Sequence, residues 1–347
     1  MTGIADVARA AGVSKSTASR ALSGSGYVSP RTRERVVSAA AQLGYVPSTS
    51  AVSLATGRTQ NIGVVMPYVN RWFFAEVLEG IQGALLERGL DLTLYDAHPG
   101  TEGRRRIFDD FLARQRFDGL IAVGLEPDDR ELERLLAIGR PVVSVVGDTT
   151  QATVVGVDDL HASRLATEHL IALGHLEICF LGGGAGASIA QVDRMRLQGY
   201  EATMTEAGLT PMHILSPVSM PGGYAAAVEL LGDSRQRPTA IVAVCDEVAI
   251  GAIIAARRLG VAVPTALSVV GIDDHEFADM FALTTLAQHP RLQGEEAVGL
   301  LVDRIADPAL PTIAIRPKAR MIVRNSTTAR ESPGHRSIRG SAVQRLT

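Results

Sequence analysis

The chain has 347 residues, of which 46% are apolar and 20% charged, with a net charge of −3 and two cysteines. That is an ordinary globular balance, with length for two or three domains and ample core. Two cysteines exclude a disulfide framework. A membrane span is not expected, since no stretch of about 18 residues is apolar and free of charge.

The opening residues, MTGIADVARAAG, lack the basic start and apolar stretch of a secretory signal, so a cytoplasmic protein is expected. Residues 1–60 carry seven cations (Arg9, Lys15, Arg20, Arg31, Arg33, Arg35, Arg58) against Asp6 and Glu34. Residues 324–347 carry five arginines against Glu331, which leaves the middle acidic. A basic head on an acidic body suits a head that meets nucleic acid. An uneven but idle surface explains the charge alone equally well.

In chain order, Ile4, Val7, Ala8 and Ala11 mark one face of a first helix, which Gly12 breaks. Ser14 can cap a second helix from Lys15 to about Leu22. Ser29 before Pro30 starts a third, with Val36, Val37, Ala40 and Leu43 as its apolar face and Gly44 as its end. Two helices joined at a glycine turn and braced by a third form a helix-turn-helix. After Pro47 the stretch STSAVSLATG is too polar for core and reads as a link between domains. Short apolar runs follow, most of them separated by helical stretches: NIGVVMP, DLTLYD, FDGLIAVG, RPVVSVVG, ATVVGVD, LEICFLGG, PTAIVAVCD and ALSVVGIDD. Such alternation predicts buried parallel strands in doubly wound α/β units, enough for two lobes. Cys179 and Cys245 sit in these runs and read as buried reduced thiols. From about Arg324 the chain turns polar and reads as a tail without fixed structure.

The stretches IADVARAAGVSKSTASRALSGSGYVSPRTRERV, LGYVPSTSAVSLATGRTQNIGVVMP, FFAEVLEGI, DGLIAVG, LATEHLIALGHLEICFLGG, RLQGYEAT, CDEVAIGAIIAARRLGVAVP and LSVVGIDD resemble, in this order, a lac repressor (LacI/GalR) family regulator. The resemblance covers residues 2 to about 327. It implies a multidomain chain, with an all-α helix-turn-helix head and an α/β periplasmic-binding-protein-like body of two doubly wound lobes. The boundaries expected are 1–46 for the head and 47–60 for a hinge segment. The N-terminal lobe takes 61–158 with 288–317, the C-terminal lobe 159–287 with 318–327, and the disordered basic tail 328–347. The implied partners are a pseudo-palindromic double-stranded DNA operator, a small sugar or sugar derivative as effector, and a second copy of the chain in a homodimer.

The resemblance implies roles for single residues. Lys15, Ser16 and Arg20 stand where the family reads bases, and Arg20 can bond guanine with two donors. Thr17, Ser19 and Tyr27 suit phosphate contacts, which position without specifying. Thr17 and Ser14 also suit local capping, and Tyr27 a half-buried loop position. Ala51 and Leu54 belong to the hinge, where the family's leucine wedges into the minor groove. Ser48 and Val52 depart from the family's usual Asn and Arg.

Strand ends and the loops after them line ligand sites in such sheets. Arg71, Trp72 and Phe73 follow the first strand, with Arg71 and Trp72 where the family usually has Asn and Pro. Trp72 is the only tryptophan and suits stacking on a sugar ring. Arg196 and Asp273 stand at the family's effector-binding arginine and acid and are expected to face each other across a cleft. Asp148 lies two residues past a position often occupied by Asp. Val218 replaces a frequent aromatic and Cys245 a usual Asn. A neutral sugar would use Trp72, Arg196 and Asp273; a sugar acid or phosphate would add Arg71.

No histidine, cysteine and carboxylate cluster has metal spacing, and no cofactor is expected. Gly182-x-Gly184-x-x-Ala187 loosely matches a dinucleotide fingerprint, but the family has a Gly-Gly turn there without a nucleotide. The alternative reading is a sugar- or nucleotide-binding enzyme of doubly wound architecture. An enzyme would have no use for residues 1–60, so a non-enzymatic regulator is expected, a repressor of carbohydrate uptake or catabolism genes.

Overall fold

The structure, a computed structural model, describes residues 3–24, 26–45, 57–147, 152–183 and 190–330. The head consists of helices α1 (Ile4–Ala10), α2 (Lys15–Ser23) and α3 (Pro30–Gln42). The caps read from the sequence are made. Ser14 Oγ accepts from the Thr17 amide at 3.1 Å and Ser29 Oγ from the Thr32 amide at 3.4 Å. Gly24 ends α2 at φ +71°, a conformation that favours glycine. Val7, Ala8, Ala11, Ala18, Ala21, Val36, Ala39 and Ala40 form the head's buried core. Six of these eight are alanines, which lets the three backbones approach closely but limits the apolar area buried.

The body follows as β1 (Asn61–Met66), α4 (Trp72–Glu87), β2 (Asp91–Asp96), α5 (Glu102–Arg106), β3 (Gly119–Val123), α6 (Asp129–Ala137), β4 (Val142–Val145) and β5 (Thr153–Val155). The chain continues with α7 (Asp159–Ala172), β6 (Ile178–Leu181), α8 (Gln191–Glu206), β7 (Met212–Ile214), α9 (Met220–Gly232), β8 (Ala240–Ala243) and α10 (Asp246–Arg258). It closes with β9 (Ser268–Asp273), β10 (Thr284–Ala287), α11 (Pro290–Ala306), β11 (Ala314–Ile315) and β12 (Arg320–Ile322). These strands make two six-stranded sheets, in the orders β11-β5-β4-β3-β1-β2 and β12-β10-β9-β8-β6-β7. In the second, β7, β6, β8, β9 and β10 run parallel and only β12 is antiparallel.

The described residues of Met1–Val69, Leu78–Ser144 and Glu295–Pro311 form one compact unit. Those of Asn70–Val77, Val145–Gly294 and Thr312–Thr347 form another. In the second unit β6, β8 and β9 are buried along their whole length, as expected of parallel strands covered on both faces. β2 differs from the expected buried strand: it is an edge strand with no fully buried residue. Gly271, inside β9, is required by a close approach, because a Cβ there would lie 2.0 Å from Asp246 Oδ1.

The polar stretch from Arg324 does not begin a free tail. Ser326 Oγ donates to the Val269 carbonyl at 2.6 Å and accepts from the Thr284 amide at 2.8 Å. The Arg330 amide donates to the Leu173 carbonyl at 2.8 Å. Composition alone suggested disorder; these hydroxyls and amides instead serve backbone groups of the second sheet and the end of α7. Residues 331–347 lie outside the described residues.

Candidate nucleic-acid interface and ligand site

On α2, Ala18 and Ala21 face the head's core, while Lys15, Ser16, Ser19 and Arg20 are exposed. The exposed four fall at i, i+1, i+4 and i+5, one stripe of the helix. Thr17 is half-buried, and its hydroxyl bonds Ser14 Oγ at 2.8 Å, so it works in the cap. Ser16 Oγ lies 2.9 Å from the same oxygen. The Arg20 stem passes over Gly26, where a Cβ would meet Arg20 Cδ at 3.2 Å. Tyr27 is 89% exposed, not half-buried, so its ring is available to a partner.

The charge at the helix starts is unusual. The first turn of a helix favours acids, yet α2 and α3 have none there and begin with Lys15 and Arg31. Cations at a positive helix end oppose folding but suit an incoming anion such as a phosphate. Arg31 and Arg33, in the basic run after the Ser29-Pro30 start, are exposed near the beginning of α3. Ala51 and Leu54 lie outside the described residues.

The second polar group lies at the C-terminal ends of the second sheet's parallel strands. Arg196, on α8, is 6% exposed. Its Nε donates to Asp159 Oδ1 at 2.8 Å, its Nη2 makes an ion pair with the same oxygen at 2.8 Å, and its Nη1 donates to the Val244 carbonyl at 2.7 Å. Nη1 also stands 4.0 Å from Asp273 Oδ1. Arg196 and Asp273 thus lie side by side in one unit and do not face each other across a cleft. Asp159, at the first turn of α7, is the residue that the sequence reading missed. A small depression of about 80 Å³ bordered by Asp158, Asp159, Gln191, Met195 and Arg316 opens beside it.

Asp273 ends β9 with φ +143° and Asp274 follows at φ +59°. Two consecutive non-glycine residues at positive φ cost about 1–3 kcal/mol each and mark a site where geometry is held for a purpose. Gln288, after β10, donates through Nε2 to Asp273 Oδ1. Asp246 begins α10, fully buried; it accepts from Thr285 Oγ1 at 2.7 Å and from the His275 amide at 2.8 Å. Burial raises the Asp246 carboxyl to about 6. Burial likewise holds Asp273 well above the carboxylate range, against the pull of Arg196, with Asp246 adding to the rise. Burial also raises Asp159, and Arg196 offsets part of it.

Trp72 stacks on His275, with ring centroids 4.8 Å apart and planes tilted by 31°. His275 Nδ1 accepts from the Phe277 amide at 3.0 Å, and burial lowers the imidazole's pKa, so the ring stays neutral. Arg71 acts electrostatically on Glu247, the residue after Asp246. Cys245 caps α10 and is buried beside this group, its thiol raised far above its usual range by burial and by Asp273. Phe73 packs edge-on against Phe74 at 5.6 Å, and both are half-buried. Val218 is half-buried against the second unit's apolar core. Asp148 and residues 184–189 of the Gly-Gly loop lie outside the described residues. Among the described residues no group of three His, Cys, Asp or Glu side chains could hold a metal ion. No helix there is long and apolar enough to cross a membrane.

A basic three-helix head with an exposed polar stripe, joined to doubly wound units with a buried polar cluster at their strand ends, defines a ligand-responsive DNA-binding regulator. Comparison with known proteins gives the same class. Residues 3–48 match the model of bacterial regulatory proteins of the lacI family, and residues 167–327 match the periplasmic binding protein-like domain. The HTH-type transcriptional regulator CelR of Thermobifida fusca is 34% identical over 92% of this chain and 96% of its own. The HTH-type transcriptional repressor PurR of Proteus mirabilis is 32% identical over 94% and 97%. Among solved structures, a lac repressor dimer bound to operator and the anti-inducer ONPF superposes with a TM-score of 0.83 at 28% identity, covering 94% of this chain and 99% of that one. A CelR–cellobiose complex gives 0.67 at 29% identity, covering 94% and 100%. The chain belongs to the lacI family of bacterial regulatory proteins.

Proposed function

We propose that the chain is a homodimeric repressor of carbohydrate uptake or catabolism genes, working in the cytoplasm by binding alone, without a catalytic step or a cofactor. The head is residues 1–46 and the hinge 47–60. The N-terminal lobe is 61–158 with 288–317 and the C-terminal lobe 159–287 with 318–327. Lys15, Ser16 and Arg20 read base edges in the major groove. Ser19, Tyr27 and the α3 start hold phosphates; Thr17 supports the helix cap; Ala51 and Leu54 serve the hinge. Two such heads related by a two-fold axis read an inverted repeat. The effector is a polar, sugar-like ligand that meets Arg196, Asp273 and Trp72, with Arg71, Phe73, Asp148, Val218 and Cys245 around it. Relatives described with cellobiose and with ribose support a carbohydrate.

The observation that carries this reading is Arg196. It is buried, held by two hydrogen bonds and an ion pair, and set 4.0 Å from an acid at a strained strand end. The experiment is selection of an operator from random DNA, then a screen of sugars for those that change operator affinity. An inverted repeat is expected, as is a sugar response that Arg196→Ala abolishes while operator binding persists. A response that survives in Arg196→Ala, or selection that yields no symmetric motif, refutes the reading. Linkage is reciprocal, so the effector must shift DNA affinity by the factor by which DNA shifts its own.

A further inference from the structure

The charges at the strand ends of the second sheet specify what the ligand brings. Four carboxylates gather there: Asp159, Asp246, Glu247 and Asp273. Asp159 takes Arg196 in direct contact, whereas Asp273 has the same guanidinium only at 4.0 Å. Glu247 lies in the field of Arg71. Asp246 is held by a hydroxyl and an amide, neither of them charged. Arg324 acts on Asp246 at a distance, but it is bonded to Asp274 at 2.8 Å; Arg316 acts on Asp159 in the same indirect way. His275, neutral, adds no cation. Burial and the want of a hydrogen-bonded cation push Asp246 and Asp273 toward their neutral form, and an arriving cation would let them ionise.

Two further observations point to a ligand. Gln288 is 2% exposed; its Nε2 serves Asp273, while its Oε1 has no partner among the described residues. Trp72 Nε1, on the indole that stacks on His275, is a buried donor without a partner among the described residues. The site therefore offers an acceptor beside an acid, a donor, and an aromatic face, a combination that suits an organic cation. A sugar acid or phosphate would oppose ionisation of Asp273 and Asp246 still further.

We propose, resting on the ligand site assigned above, that the effector is cationic, an amine-bearing sugar or polyol. Its ammonium donates to Asp273 and to Gln288 Oε1, a ring or hydroxyl oxygen accepts from Trp72 Nε1, and Arg196 serves the remaining hydroxyls. Arg71, which the sequence suggested for an anionic ligand, answers Glu247 instead.

The only tryptophan lies in this cluster, so the local charge can be read on the full-length protein without knowing the ligand. Caesium and iodide quench Trp72 fluorescence at equal ionic strength, each scaled to neutral acrylamide. Caesium is expected to quench several-fold more strongly, and Glu247→Gln, a conservative change at a half-buried position, narrows the gap. In parallel, melting midpoints are measured with glucose, galactose and mannose, with their 2-amino-2-deoxy derivatives, with glucuronate, and with glucose 6-phosphate. An amino sugar is expected to act at about ten- to a hundred-fold lower concentration than its neutral parent, the worth of one charge-assisted bond. Asp273→Asn should remove that advantage. Iodide quenching as strong as caesium overturns the proposal, as does tighter binding of glucuronate or the phosphate. If no sugar of the set shifts the midpoint, the quencher ratio decides. Preference for an anionic sugar whose effect is lost in Arg196→Ala refutes the charge while leaving the site; a response retained in Arg196→Ala refutes the site itself.

Discussion

The head and the ligand site use the same residue types under opposite conditions. In the head, Lys15, Ser16, Ser19, Arg20, Arg31 and Arg33 stand in water, above a core made mostly of alanine. In the ligand site, Arg196, Asp246, Asp273 and Gln288 are buried, each holding at least one neighbour in fixed geometry. Exposed charges cost little in the free protein and are screened by salt. Buried ones are rigid and costly to break, and they couple stability to pH. The head should therefore be governed by ionic strength and the site by proton concentration.

The largest expected break comes from Arg196→Ala, which leaves Asp159 and Asp273 buried beside no contacting cation. A loss of about 3–5 kcal/mol in denaturant unfolding of the second unit is expected, together with loss of the ligand response. Asp246→Asn sharpens the pH side. A carboxyl raised to about 6 in the folded chain stabilises fully below its ordinary range near 3.8, and that contribution is lost as pH rises through about 6. The wild type should lose about 3 kcal/mol over that window on this account, and the asparagine variant should lack that slope, as followed by melting at stepped pH. In the head, Arg20→Ala should flatten base preference at one operator position by about 1–3 kcal/mol, seen by binding to single-base operator variants. Ser14→Ala removes the hydroxyl that accepts from the Thr17 amide and should lower head stability by about 1 kcal/mol in thermal unfolding. Smallest is Arg31→Ala, at the start of α3: it should weaken all DNA alike and reduce the salt slope of binding by about one, measured by titration between low and moderate salt.

The same contrast explains what was legible in the sequence. The head's helices were readable to within a residue or two at most ends, because Ser14, Gly24 and the Ser29-Pro30 pair act on neighbours in the chain. Long buried strands were readable for a similar reason. β10 was not: its TTLA is held by threonine hydroxyls that serve Asp246 and the 324–327 segment, partners about 40 positions away. Asp159 was invisible because its role depends on Arg196, 37 positions further on. Arg196 and Asp273 were found by resemblance, but no spacing says that they lie side by side. One local signal was available and unused. A glycine inside the otherwise apolar strand SVVGID marks a close approach, and the approaching group is Asp246.

The serine at 326 has a consequence for how this chain can be cut. Its hydroxyl and carbonyl stand in for a missing neighbour strand, serving the Val269 amide and carbonyl and the Thr284 amide together. A chain shortened to residue 330 would keep this suture; one shortened to 325 would open it and leave three backbone groups of adjoining strands to find solvent.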